Sequence, residues 1–314
     1  MAHTELGTFS FTYRALGVHG VGISASSNFA VLYEACQLFL RHGPPISNEV
    51  VAKAALRFER HMAHANAIAD DDVYPITYGG LVRITTKPNT LVDGAEIDGE
   101  VVVEPVSYDS RWLAEHVVVA FDPLGERHEI PHLHAKLFRH PAGVSFVEQL
   151  SDLADIACTA IAGKDLNKLA TTVQSYVSVL NQWTGDEYTA NVRSVAEKLV
   201  CKLPSNVLAW KPPGGGASKS LIVIVADRHA RDAVLGFFED ENWWATPALV
   251  TGGIYCEYVK TKGDVRFTAG HRLDFVGGAD LGQDIAIRKE GRCCSCAIEP
   301  RAEILLSLAD FRQP

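Results

Sequence analysis

No run of about 18 to 20 apolar residues, the length a membrane-spanning helix needs, occurs in the 314-residue chain, so no membrane partner is expected. The first residues, MAHTELGTFSF, lack both the basic n-region and the apolar h-region of a secretory leader. Basic runs interleaved with aromatics are missing too. With 29 Lys and Arg against 38 Asp and Glu, the net charge is −9, and nucleic acid is not an expected partner. A disulfide framework is also lacking: seven cysteines, at 36, 158, 201, 256, 293, 294 and 296, form an odd set without regular spacing, which fits reduced thiols in the cytosol. Together these absences read as a soluble cytoplasmic protein. The nucleotide fingerprints GxxxxGK(S/T) and GxGxxG are absent, which excludes a Walker loop and a Rossmann loop.

What is present is a different small-residue loop. Gly20-Val21-Gly22-Ile23-Ser24-Ala25-Ser26-Ser27-Asn28 follows the strand-like FSFTY and opens into Phe29, Val31, Leu32, Ala35, Leu38 and Phe39 at helical spacing. Small residues let the backbone approach a polyphosphate, and the first N–H groups and dipole of the helix favour the anion. Hydroxyls of Ser24, Ser26 and Ser27 can add contacts to phosphate or Mg2+. A plain N-cap without ligand has the same composition.

Further along, residues 29–40 and 48–66 read as helices separated by the breaker HGPPIS. The triplet Asp70-Asp71-Asp72 precedes YPITYGGLVRITT, where Gly79-Gly80 punctuates strand entry, and a second β-rich stretch ends near Val106. VVVAF after His116 and LIVIVAD at 220–226 read as buried strands, 147–203 as mostly helical, 229–239 as a helix and GGIYCEYV as a further strand. Lys211-Pro212-Pro213-Gly214-Gly215-Gly216-Ala217-Ser218 has linker composition, but its place directly before a core strand suits a loop that closes on phosphate. Residues 269–280 read as an alternating strand ending in Gly277-Gly278 and an acid, Asp280, which a hairpin with a solvated acid would also explain.

Metal sites have little support in the sequence. Adjacent cysteines in GRCCSCAIE point to opposite faces of a strand, and no second pair lies at zinc-finger spacing. His132, His134 and His140 fit a polar surface segment as well as a ligand triad.

Taken together, these segments resemble the GHMP family of small-molecule kinases, named for galactokinase and for homoserine, mevalonate and phosphomevalonate kinases, over most of the chain. GVGISASSN resembles the family's phosphate loop, PxGxGLGSSAA; Asp72 with Gly79-Gly80 resembles its DQ…GG segment; KPPGGGASKSLIVIV resembles its third motif, KPSGAGGGD. The family's opening motif, APGRVDFLGGGTDL, has its counterpart in TAGHRLDFVGGADL at 268–281, beyond the third motif. The chain therefore resembles a circularly permuted member, nearest the sugar 1-kinase branch of heptose 7-phosphate kinase and fucokinase. It departs from the patterns at Ala25, Asn28, Val73 and the stretch Ala217-Ser218-Lys219.

The resemblance implies an α+β, two-domain fold, circularly permuted. Residues 1–110 with 265–314 would form a ribosomal-S5-like domain and 111–264 a ferredoxin-like domain, with ATP and substrate between them. It implies an ATP- and Mg2+-dependent kinase phosphorylating a hydroxyl of a small polyol such as a sugar or sugar phosphate; a homodimer is compatible with it. Gly20, Gly22, Ser24, Ser26, Ser27 and Gly214, Gly215, Gly216 would hold the nucleotide, Ser26 and Glu59 the metal, and Gly277, Gly278 and Asp280 the substrate. Asp72 would be the base, kept ionised by Arg272. Glu59, in RFERH, reads equally as a solvated helix charge. A GHMP-like sensor without turnover and a mevalonate-pathway kinase are the alternative expectations.

Overall fold

The computed structural model describes residues 10–14, 25–43, 45–62, 72–86, 90–92, 95–97, 101–122, 142–214, 216, 219–248, 250–261, 264–273 and 301–307. Two four-stranded antiparallel sheets and two two-stranded ones occur among the described residues. The first contains β1 (Ser10–Arg14), β10 (Thr251–Thr261), β11 (Asp264–Leu273) and β12 (Arg301–Ser307), in the order β1-β12-β11-β10. Three helices go with it: α1 (Ala25–His42), α2 (Asn48–Met62) and α3 (Val73–Tyr78). The first of them lies against β11 and the third against β10.

The apolar spacing in the sequence becomes the helical core. Ala30, Val31 and Ala35 of α1 meet Val51, Ala52, Ala55 and Leu56 of α2 and Val73 and Tyr74 of α3. Ile84 of β2 (Val82–Thr86) and Val101 and Val103 of β5 (Val101–Pro105) extend this cluster. Those two strands pair with each other, and the short β3 (Thr90–Val92) and β4 (Ala95–Ile97) pair in the same antiparallel sense.

The second sheet joins β6 (Val117–Phe121), β7 (Val207–Lys211), β8 (Ser220–Val225) and β9 (Trp244–Pro247) in the order β7-β8-β6-β9. Before it comes α4 (Ser110–His116), whose cap, Asp109, accepts from the N–H groups of Arg111 and Trp112. Between β6 and β7 run α5 (Gly143–Ala162), α6 (Leu166–Thr184) and α7 (Arg193–Lys202); α8 (Arg228–Asp240) links β8 to β9. Counted along the chain, the strand order is 4-1-3-2, the connectivity of a ferredoxin-like split β-α-β unit. One face of this sheet buries Leu221 and Val223 against α7 and α8, and the other buries Ala209 and Ile224 against α4, α5 and α6.

Two features differ from the sequence reading. Residues 73–78, to which the sequence reading assigns no helix, form α3 ahead of the strand entered after Gly79-Gly80: Asp72 stands at its N-cap, Pro75 falls in its first turn where no N–H is needed, and Gly79 ends it at φ 69. And β10 pairs with β11 along nearly its whole length, so the first sheet crosses residue 264, where the sequence reading divides the chain. No helix among the described residues is long and apolar enough to cross a membrane.

Candidate functional site

Helix α1 begins at Ala25, within the small-residue run, and its first N–H groups have no partners within the helix. Ser27 lies in that first turn and is 3% exposed. Gly43, at φ 70, ends α1, and a short connection turns the chain back through α2. The last turns of α2 thereby return to the start of α1, carrying Glu59. Val51, Ala52, Ala55, Leu56 and Glu59 form one buried stripe on α2, so this carboxyl occupies a core position and is 9% exposed.

The surroundings of Glu59 are unusual for a carboxylate. The Ser27 hydroxyl donates to it, but its Oε2 has no hydrogen-bond partner among the described residues. Its pKa is raised above the ordinary carboxylate value, first by burial and then by the charge of Asp72, with the Ser27 bond opposing. A buried carboxylate oxygen left unpartnered beside a hydroxyl and a second acid is costly as it stands. Asp72 stands at the N-cap of α3 without using its side chain to cap that helix, and it is exposed.

The chain thus brings together Ser27, Glu59 and Asp72 from α1, α2 and the start of α3. The donor set of one hydroxyl and two carboxylates fits a small divalent cation such as Mg2+, which takes one or two protein carboxylates and leaves its other positions to water and phosphate. No cluster of three or more His, Cys, Asp or Glu that could hold a metal occurs among the described residues. Sequence reasoning left Glu59 undecided between ligand and surface charge. The signal was there in the register of Glu59 with Ala52, Ala55 and Leu56, because a solvated charge belongs on the opposite face.

The glycine turn after β7 is held at both ends. The buried Tyr188 hydroxyl donates to Pro212 O at 2.8 Å, and the Asn191 amide donates to Gly216 O at 2.9 Å. Gly214 and Gly216 take φ of 50 and 76, and a Cβ on Gly216 would run into the Tyr188 carbonyl oxygen. A further tie is the pair Lys219 to Asp122, at 3.7 Å. These bonds tie Pro212 and Gly216 to the stretch between α6 and α7.

Arg272 lies in β11, opposite the irregularity in register between Thr251 and Ile254 of β10. Ser26 is in the first turn of α1. Gly20, Gly22, Ser24, Gly215, Gly277, Gly278 and Asp280, and the histidine and CCSC groups, lie outside the described residues.

No protein-family model matches the chain, and no curated protein matches it in sequence. Solved structures do. The L. major mevalonate kinase, solved in complex with R-mevalonate, superposes with a TM-score of 0.53 at 16% identity, over 72% of this chain and 66% of that one. The phosphomevalonate kinase of Streptococcus pneumoniae gives 0.52 at 12% identity, over 72% of this chain and 69% of that one. The Lin0012 protein of Listeria innocua gives 0.52 at 14%, over 68% and 63%. The chain has a GHMP-kinase-like fold. The matched part spans about two thirds of these chains' length. At these identities the likeness concerns the fold, and the chemistry has to be argued from this chain's own residues.

Proposed function

We propose that the chain is an ATP-dependent phosphotransferase of the GHMP type whose acceptor is a hydroxyl of a small polyol, a sugar or sugar phosphate. The observation that carries this reading is the meeting of Ser27, Glu59 and Asp72 at the N-terminus of α1. Phosphoryl transfer asks little covalent chemistry of a protein; it needs phosphates held, charge offset and the attacking hydroxyl aligned.

The N–H groups at the start of α1 and the preceding loop bind the β- and γ-phosphates, with Ser24 and Ser26 beside them. Glu59, with Ser27 or Ser26, would hold Mg2+, which when bound offsets phosphate charge. Asp72 orients the acceptor hydroxyl and receives its proton; its exposure leaves it open to a ligand. Arg272 offsets developing charge, Gly214 to Gly216 close the phosphate side, and Gly277, Gly278 and Asp280 contact substrate hydroxyls.

The same reading takes the chain as circularly permuted and two-domain, with β10 counted with the first sheet. Strand pairing supports it. β12 runs antiparallel to β1, with Ser10 opposite Leu305 and Arg14 opposite Arg301, so the start of β1 lies beside the end of β12, as the two arms of a hairpin would. β10 and β11 form the hairpin at which an unpermuted chain would be open.

The test is ATP turnover with Mg2+ over a panel of free sugars, sugar phosphates and mevalonate compounds, with Asp72→Ala alongside. Turnover on a sugar-class acceptor, lost in the variant, is the expected result. Turnover on mevalonate compounds alone would replace the acceptor class, and no turnover on any of them would overturn the kinase reading in favour of a binding protein.

A further inference from the structure

The ribbon of β2 and β5 is shared by two cores. Ile84, Val101 and Val103 pack with α1, α2 and α3, while Leu81 at its root and Tyr108 just beyond it pack, with Ala157 and Ile161 of α5, against the core of the second sheet. At that root the two chain runs lie side by side, the Val106 N–H donating to Leu81 O at 2.8 Å. Arg83 points to the face opposite Ile84 and reaches α5: its Nε and Nη2 meet the two carboxylate oxygens of Asp155 at 2.9 and 3.0 Å. Its other nitrogen, Nη1, lies 3.5 Å from Glu104, the residue opposite it on β5.

This contact is more specific than it is strong. A guanidinium fork on both oxygens of a carboxylate fixes direction as well as distance, which a lysine could not do. Arg83 and Asp155 keep 43% and 49% of their side chains exposed, so the pair adds little to the stability of the fold. A small directional energy has its effect where two bodies can settle in neighbouring arrangements, because there it decides which is populated. The ribbon connects that choice to the candidate site. Gly79 and Gly80, at φ 69 and 67, turn the chain from α3 into β2, and α3 carries Asp72 at its start. Between Asp72 and Arg83 there is only this short helix, the glycine turn and the start of one strand, so a shift of α5 against the ribbon is passed on to Asp72.

We propose that Arg83 is a positioning residue: by clasping Asp155 it sets how the unit of α1, α2 and α3, with Ser27, Glu59 and Asp72, is placed against the second sheet. The proposal rests on the kinase reading for what that placement serves, the alignment of an acceptor hydroxyl with a phosphate. Arg83 has no contact with either in this scheme and takes part in no covalent step. Alignment suffers more than binding from a displacement of about 1 Å, so loss of the clasp acts on turnover before it acts on affinity.

Small-angle X-ray scattering of the full chain tests the placement, and steady-state turnover beside equilibrium ATP binding, on the acceptor that the panel identifies, tests its purpose. The proteins compared are wild type, Arg83→Met, Asp155→Asn and the double variant. Each single variant should show a larger radius of gyration than wild type and a kcat lower by about five- to tenfold, with the Kd for ATP changed less than about threefold. The double variant should lose no more than either single one, because each residue acts through the other. Arg83→Lys, which keeps the charge without the fork, should recover only part of the loss. Salt at about 1 M should move the wild-type scattering towards that of Arg83→Met and leave the variant where it is. An unchanged scattering profile or an unchanged kcat in Arg83→Met overturns the proposal, and so do losses that add in the double variant. If Arg83→Met does not fold, Asp155→Asn and the wild-type salt series decide by the same criteria. The scattering needs no turnover: a clasp-dependent profile in a chain that phosphorylates none of the panel sinks the kinase reading alone, whereas turnover lost in Asp72→Ala but untouched in Arg83→Met sinks this one alone.

Discussion

The carboxylate of Asp72 lies close enough to Glu59 that its charge, added to burial, raises the Glu59 pKa. For an acid the sign is clear. A carboxyl whose pKa is higher folded than unfolded favours folding while protonated, and that contribution is lost as pH rises from the ordinary carboxylate value, 4.5, through the raised one. At neutral pH, without a cation, ionised Glu59 therefore works against the fold. Glu59→Gln should melt at a higher temperature than wild type in chelator-treated buffer at pH about 7, and should lose the rise in melting temperature that Mg2+ gives wild type. Differential scanning calorimetry with and without Mg2+ decides it. A variant that melts lower and still responds to Mg2+ would make Glu59 a structural residue.

Asp72 leads to a different outcome because it is exposed and does not cap α3 through its side chain. Replacing it should leave the fold and nucleotide binding nearly intact while removing the proton acceptor. Asp72→Asn is expected to lower kcat on the acceptor that the panel identifies by about a hundred- to ten-thousandfold, with the Kd for ATP changed less than about threefold. Single-turnover kinetics beside equilibrium ATP binding measures both. A proportional loss of binding and rate would assign Asp72 to ground-state contacts instead.

Much of this arrangement could be read from residue order. Helix α1 follows from apolar spacing, β6 and β8 from unbroken runs of Val, Ile and Leu, and α8 from its spacing and the Asp227 cap. The short α3 escaped because six residues show no helical period, and β-branched and aromatic residues in YPITY mimic a strand; Asp72, Pro75 and Gly79 at its ends were the better guide. The bond of Ser27 to Glu59 depends on α2 folding back along α1, which spacing along the chain does not encode. Nor does Tyr188 announce its role, since its partner, Pro212, belongs to a distant turn.

That turn gives a stability prediction. Gly216 takes φ of 76 and presses on the backbone of Tyr188, so Gly216→Ala meets both a strained conformation and a carbonyl that cannot move aside cheaply. It should destabilise by about 2 to 4 kcal/mol. Tyr188→Phe keeps the packing but leaves Pro212 O without its buried donor, for a cost of about 1 to 3 kcal/mol. Urea unfolding of both variants at fixed pH measures these values. Equal stability of Gly216→Ala and wild type would mean that the turn is not tied as described.

The proposed permutation can be reversed as a test of the strand order. β1 and β12 are antiparallel neighbours with Ser10 opposite Leu305, so a short flexible linker from residue 314 to residue 1 completes a hairpin that the sheet already holds. Opening the chain between Thr261 and Asp264 cuts the connection of β10 to β11 while their ladder stays available to pair across the new ends. Cuts in exposed connections between paired strands are the kind that chains tolerate. The rearranged protein should therefore fold to the same far-ultraviolet circular dichroism spectrum and melt cooperatively. Its contact order falls for β1 with β12 and rises for β10 with β11, so its folding rate should change more than its stability. A rearranged chain that stays unfolded, while a control cut within β11 behaves no worse, would show that β1 and β12 do not lie as this sheet places them, and the permuted reading would fall with it.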